Sequence, residues 1–205
     1  MSSAKTNRKS KAKNKTAALS EKGNARPDNR ADAEHIVTDV LFATKNDLPE
    51  DTRTEVVTLL NARLADCIDL QTHCKQAHWN VKGPQFIALH ELFDKVNEAI
   101  EEYVDLIAER VVQLGGVADG TARMIAARTT LPDYPSRLRT GEQHVAALSD
   151  SLAAFGRVAR MAIEATDELD DKCTADLMTE VTRGTDQWLW FVEAHQQTSD
   201  AKPVK

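Results

Sequence analysis

Four stretches of this chain, each roughly 20 to 30 residues long, repeat apolar side chains every three or four positions, and none alternates them at every second position. That period makes each stretch an amphipathic helix, and four such helices hide their apolar stripes by packing on one another. The first, 52–80, carries Leu60, Leu64, Cys67, Cys74 and His78 in one narrow stripe before Asn80, Gly83 and Pro84 break it. The second, 85–114, carries Leu89, Phe93, Val96, Ile100, Val104, Ile107 and Val111 and stops at Gly115 and Gly116. Residues 121–128 suit one short extra helix, and Pro132 and Pro135 mark a loop. The third helix, 137–166, repeats Val145, Leu148, Leu152, Phe155 and Ile163; the fourth, 173–196, repeats Leu177, Val181, Trp188 and Val192. The expected fold is an all-α four-helix bundle, with the long segment between its second and third helices serving as a crossover rather than a tight turn.

Charge is distributed unevenly. The chain of 205 residues has 26 Lys and Arg against 32 Asp and Glu, a net charge of -6. Residues 1–30 hold nine of the basic groups, Lys5, Arg8, Lys9, Lys11, Lys13, Lys15, Lys22, Arg26 and Arg30, against Glu21 and Asp28 alone. This segment is therefore at +7 and the remainder at -13. With Leu19 as its one large aliphatic residue, it cannot bury enough surface to offset the entropy of ordering, so it reads as a disordered basic arm suited to a polyanion. A transit peptide is the alternative; the Lys-rich segment lacks the amphipathic face such a peptide needs. Residues 31–51 form an N-terminal extension, 52–197 the bundle, and 198–205 a flexible C-terminal tail. No run of about 18 apolar residues or apolar secretory core occurs, and Cys67, Cys74 and Cys173 are too few for a disulfide framework, so a cytoplasmic protein with reduced thiols is expected.

The second helix carries two i, i+4 pairs, His90 with Asp94 and Asp105 with Glu109. With His90 at zero, the other three fall at about 40°, 60° and 100°, on one arc. A solvated face is the alternative reading, but such a face normally mixes Lys or Arg among its acids, and this arc ends near His78 of the first helix. Two imidazoles with three carboxylates suit Fe(II), with Zn(II) and Mn(II) as competitors, and the missing thiol argues against structural zinc. Asp94 and Asp105 are about 16 Å apart along one helix, too far to share an ion. Two copies of the helix packed antiparallel about a twofold axis near Ala99 would instead set His90 and Asp94 of one chain against Asp105 and Glu109 of the other, forming two identical sites. The Glu-x-x-His signature of a di-iron site inside one bundle is absent.

The runs Lys75-Gln-Ala-His-Trp-Asn-Val-Lys-Gly83, Phe86-Ile-Ala-Leu-His-Glu-Leu-Phe-Asp94 and Asp105-Leu-Ile-Ala-Glu-Arg-Val-Val-Gln-Leu-Gly-Gly116 resemble the Dps family, DNA-binding proteins from starved cells. The resemblance covers about 52–196. It implies a ferritin-like bundle, a homo-oligomeric shell of twelve such subunits, and a ferroxidase centre at the dimer interface. The matching ligand positions are His78, His90 and Asp94 of one subunit with Asp105 and Glu109 of the next. The family implies Fe(II) oxidation, preferentially by hydrogen peroxide, and storage of ferric mineral. Trp79 has the family's position beside the centre, where an indole can donate electrons; a packed aromatic is the alternative. Trp188 and Trp190 read as core or interface residues.

Asp171, Asp176 and Glu180 open the fourth helix, where acids favour the helix dipole in any case; they resemble the acids of the family's iron-entry pores. Asp32, His35, Asp47 and Glu50 resemble an additional N-terminal metal site of long-armed members, for iron, zinc or manganese. Three functions follow as expectations. The first is a ferroxidase and iron store that protects DNA, bound non-specifically through Lys5, Arg8, Lys9, Lys11, Lys13 and Lys15, in the cytoplasm at the nucleoid. The second is a mainly structural nucleoid-compacting protein with little catalysis. The third is a zinc- or manganese-binding helical protein.

Overall fold

A computed structural model describes residues 41–197. Its elements are α1 (Glu50–Asn80), α2 (Phe86–Gln113), the short α3 (Ala122–Arg128), α4 (Gly141–Glu168) and α5 (Lys172–Glu193), with no strand among the described residues. Helices α1 and α2 pack as one hairpin and α4 and α5 as another; α1 also lies on α4, and α2 on α5. The apolar stripes meet in one core, where Leu60, Leu64, Phe93, Ile100, Leu148 and Phe155 are fully buried. A buried ring such as Phe93 is worth about 3–5 kcal/mol relative to alanine. Cys67 and Cys74 lie in this core, Cys173 is exposed, and all three are free thiols.

Helix ends follow local capping chemistry. α1 begins at Glu50 rather than 52, because Pro49 precedes it and Glu50 and Asp51 suit the positive end of the helix dipole. α4 begins at Gly141 rather than 137, because Thr140 and Gln143 form a capping box. The Gln143 amide donates to Thr140 Oγ1 at 3.3 Å, and the Thr140 amide donates to Gln143 Oε1 at 3.2 Å. α5 starts at Lys172 behind Asp171, whose carboxylate accepts from the Thr174 amide at 3.0 Å, and ends at Glu193 rather than 196.

The crossover runs back along α1 through a ladder of polar side chains. The Asn61 amide donates to the Val117 carbonyl and accepts from the Asp119 amide, both at 3.0 Å. Asp66, fully buried, accepts from the Thr130 amide at 2.6 Å and from Arg63 at 2.9 Å, and Asp69 accepts from the Thr129 hydroxyl at 2.8 Å. The chain leaves α2 through Gly115, at φ +89°, whose carbonyl accepts from the Phe42 amide at 2.7 Å. A Cβ there would stand 2.6 Å from the Phe42 carbonyl oxygen, so both the left-handed backbone and the close approach require glycine. The crossover ends beside the α1–α2 turn, where the Gly141 amide donates to the Lys82 carbonyl at 3.2 Å.

Candidate metal centre

The α1–α2 hairpin brings His78 and His90 face to face, with ring centroids 3.7 Å apart and planes inclined by 22°. His78 Nδ1 lies 2.8 Å from the carbonyl oxygen of His90, and His90 Nδ1 lies 2.9 Å from that of His78. A carbonyl can only accept, so each Nδ1 carries the proton and donates, leaving the lone pair on each Nε2. The fold thus holds both rings in the tautomer that ligates a metal through Nε2. His78 is within the last turn of α1, whose carbonyls have lost their intrahelical partners, which is why one is open to the His90 ring.

Asp94 is one turn along α2 from His90, with its Oδ1 3.8 Å from His78 Nδ1. The same oxygen accepts from the Lys75 ammonium at 2.6 Å. This bond, aided by the two nearby imidazoles and opposed by partial burial, holds the Asp94 carboxyl below its ordinary range. Lys75 has no role in the sequence reading beyond membership of the first motif. Its spacing to His78, i to i+3, places both on one face of α1, but its pairing with Asp94 is a contact between two helices. Trp79 is exposed (67%), and the Phe86 ring lies 5.1 Å from that of His90.

Asp105 and Glu109 lie towards the other end of α2, both exposed. One chain therefore pairs His78 with His90, sets Asp94 3.8 Å from His78, and leaves Asp105 and Glu109 about 16 Å or more from Asp94 along the helix. Among the described residues no three His, Cys, Asp or Glu side chains of a single chain are grouped closely enough to hold a metal ion.

The acids of α5 divide. Asp171 is buried; both its oxygens accept from Arg110, at 2.8 and 3.1 Å, and it caps α5. Burial pushes its carboxyl up, but the bonds from Thr174 and Arg110 outweigh that and hold it below the ordinary range. This corrects the expectation that Asp171 faces an iron-entry pore: its lone pairs are spent inside the subunit. Asp176 and Glu180 are exposed. Asp47 and Glu50 are exposed at the start of α1, whereas Asp32, His35 and the six basic residues Lys5, Arg8, Lys9, Lys11, Lys13 and Lys15 lie outside the described residues. Trp188 is half-buried and edge-on to Phe191, with centroids 5.4 Å apart; Trp190 is exposed (60%). No helix among the described residues is long and apolar enough to cross a membrane.

A ferritin-like domain model matches residues 57–200. A DNA protection during starvation protein of Agrobacterium fabrum is 46% identical over 154 residues, covering 75% of this chain and 95% of that protein. The chain belongs to the Dps family of ferritin-like proteins. Among solved structures, DpsC from Streptomyces coelicolor matches with a TM-score of 0.74 at 32% identity, over 80% of this chain and 96% of that one. Mycobacterium smegmatis Dps, in a tetragonal form, matches with a TM-score of 0.75 at 31% identity, over 80% of this chain and 100% of that one. The ferritin-like domain match takes in α2 to α5 whole and α1 from Val57 onward, while the basic residues 1–30 lie outside it.

Proposed function

We propose that this Dps-family protein oxidises Fe(II) at a centre shared by two subunits, stores the ferric product in a shell of twelve, and binds DNA non-specifically through its basic arm in the cytoplasm at the nucleoid. One observation carries the ferroxidase reading: the reciprocal Nδ1–H bonds of His78 and His90, which leave an Nε2 lone pair on each ring, with the Asp94 carboxylate 3.8 Å from His78 Nδ1. Imidazole and carboxylate donors bind ferrous iron, the substrate, and accumulated carboxylate charge favours the ferric product. Asp105 and Glu109 of a second subunit complete the donor set. Each ferrous ion gives up one electron and hydrogen peroxide takes two as its O–O bond breaks, so two ferrous ions and two protons reduce one peroxide to two waters. Trp79, beside the centre, suits transfer of an electron to a stray oxidising species. Asp176 and Glu180 are the acids proposed to draw cations in, and Asp32, His35, Asp47 and Glu50 remain the proposed N-terminal metal site.

The test is Fe(II) oxidation followed anaerobically with peroxide and then with oxygen, on the native protein and on Asp105→Asn. The substitution removes one carboxylate charge from the centre, and oxidation is expected to slow by about 10- to 100-fold, with subunit assembly and DNA binding retained. An unchanged rate would show that iron reacts elsewhere. The strong positive charge of residues 1–30 favours the second reading, a nucleoid-compacting protein with little catalysis. It becomes the better one if neither oxidant turns over Fe(II) while DNA is still bound. Turnover of neither oxidant alongside tight Zn(II) or Mn(II) binding would favour the third.

A further inference from the structure

We propose that Ile87 of one subunit seats in the apolar groove around Val112 of a second copy of this chain, and that this contact, made twice about the dimer axis, holds the two copies in register at each metal centre. The inference rests on the shared-centre reading above and adds what holds the two copies in register. Helix α2 leaves two β-branched aliphatic side chains in solvent, Ile87 at 61% and Val112 at 59% exposure. With His90 at zero around the helix, Ile87 falls at about 60° and Val112 at about 40°, on the arc that carries Asp94 and Asp105. One face of α2 is therefore acidic in its middle and aliphatic at both ends.

The two ends are related as the ligands are. Ile87 precedes His90 by three residues, and Val112 follows Glu109 by three. A twofold near Ala99 that sets His90 against Glu109 and Asp94 against Asp105 therefore also sets Ile87 against Val112, at both ends of the interface. Val112 already lines a shallow groove with Ala108, Ala118, Gln113 and Glu109, of volume about 460 Å³, ample for an isoleucine side chain. Glu109 on the rim ties the groove to the metal centre. Phe86, next to Ile87, lies against His90 within the same chain, so the contact sits beside the imidazole pair. Near the axis, exposed Glu98 and Glu101 would approach the same residues of the partner, and like charges there repel. The acidic middle of the face cannot hold two copies together without cations, so the aliphatic ends supply the attraction.

Cross-linking tests this directly. In a Cys173→Ser background, whose remaining Cys67 and Cys74 are buried, the double variant Ile87→Cys/Val112→Cys is treated with a short bismaleimide and run on a reducing, denaturing gel. Most of the protein is expected as a covalent dimer, while each single variant stays monomeric. The two positions are about 37 Å apart along one helix, so no link can form within a chain. Absence of the dimer, or equal linking by Ile87→Cys alone, overturns the proposal. A second comparison does not depend on thiol geometry: Ile87→Glu should keep its helical circular dichroism but elute as a smaller species, whereas Ile87→Leu should keep the native size. An Ile87→Glu protein of native size overturns the contact. Cross-linked dimers that fail to oxidise Fe(II) uphold the contact and sink the ferroxidase reading; oxidation without cross-linking does the reverse.

Discussion

At Lys75 a cation already sits where the substrate cation is proposed to bind. Its ammonium donates to Asp94 Oδ1 at 2.6 Å, and both side chains are only partly buried, so the pair is screened and worth at most about 1 kcal/mol. A metal ion claiming Asp94 must displace this bond or share the carboxylate with it. Lys75→Gln is therefore expected to tighten the first metal-binding step by about two- to fivefold, read from anaerobic titration with Co(II) as a redox-inert probe. Weaker Co(II) binding would mean that Lys75 orients Asp94 for the ion instead of competing with it. His78, His90 and Asp94 were legible as candidates because spacing on a helix determines angle. Lys75 was not, because its role is a contact across two helices, and the burial of Asp171 was not, because Arg110 reaches it from another helix.

At the scale of elements, the crossover is clamped by a buried polar cluster as well as by the Asp66 and Asp69 bonds. Tyr134, from the crossover loop, places its hydroxyl 2.9 Å from His144 Nδ1 on α4 and its ring 5.1 Å from that of His73 on α1. His73 Nδ1 lies 3.0 Å from Ser151 Oγ, which itself donates to Ala147, so the imidazole donates. Burial lowers the affinity of both histidines for a proton; for His73 the Asp69 and Asp133 carboxylates oppose this in part. Burial also pushes Tyr134 above its usual value and Cys74 up to about 12, so neither ionises at neutral pH. A histidine whose folded pKa lies below its unfolded value, about 6.5, leaves the unfolded chain binding more protons between those two values. Its contribution to stability is present above pH 6.5 and is lost as pH falls through that window. The thermal midpoint should therefore drop from pH 7.5 to 5, and drop less in His144→Gln. Identical slopes would assign the acid sensitivity to other groups. Of these elements, the helices were legible from periodicity, and their starts could be refined by capping pairs such as Thr140 with Gln143. The clamp was not legible, since His73 and His144 are 71 residues apart in sequence.

At the scale of the whole molecule, the basic arm and the acidic remainder divide the proposed work. Deleting residues 1–30 removes a charge of +7 and none of the five proposed ferroxidase ligands. DNA retardation in gels should then be abolished or greatly weakened, and its steep dependence on salt lost, while Fe(II) oxidation stays at the native rate. Many arms on one shell would amplify a weak contact per arm, so the loss should be steeper than linear in the fraction of truncated subunits. Equal retardation by the truncated protein at moderate salt would move DNA binding onto the bundle.

Periodicity and charge are properties of the chain read in order. Four amphipathic stripes allow little besides a bundle, and two i, i+4 pairs on one stripe must share a face whatever surrounds them. Fold class, the arc of candidate ligands and the basic arm were accordingly available from residue order alone. Contacts between elements distant in sequence depend on how helices turn and cross, which no local pattern specifies. The fold alone could orient the two imidazoles by each other's backbone, set Lys75 on Asp94, commit Asp171 to Arg110, and leave Ile87 and Val112 uncovered at the two ends of one helix.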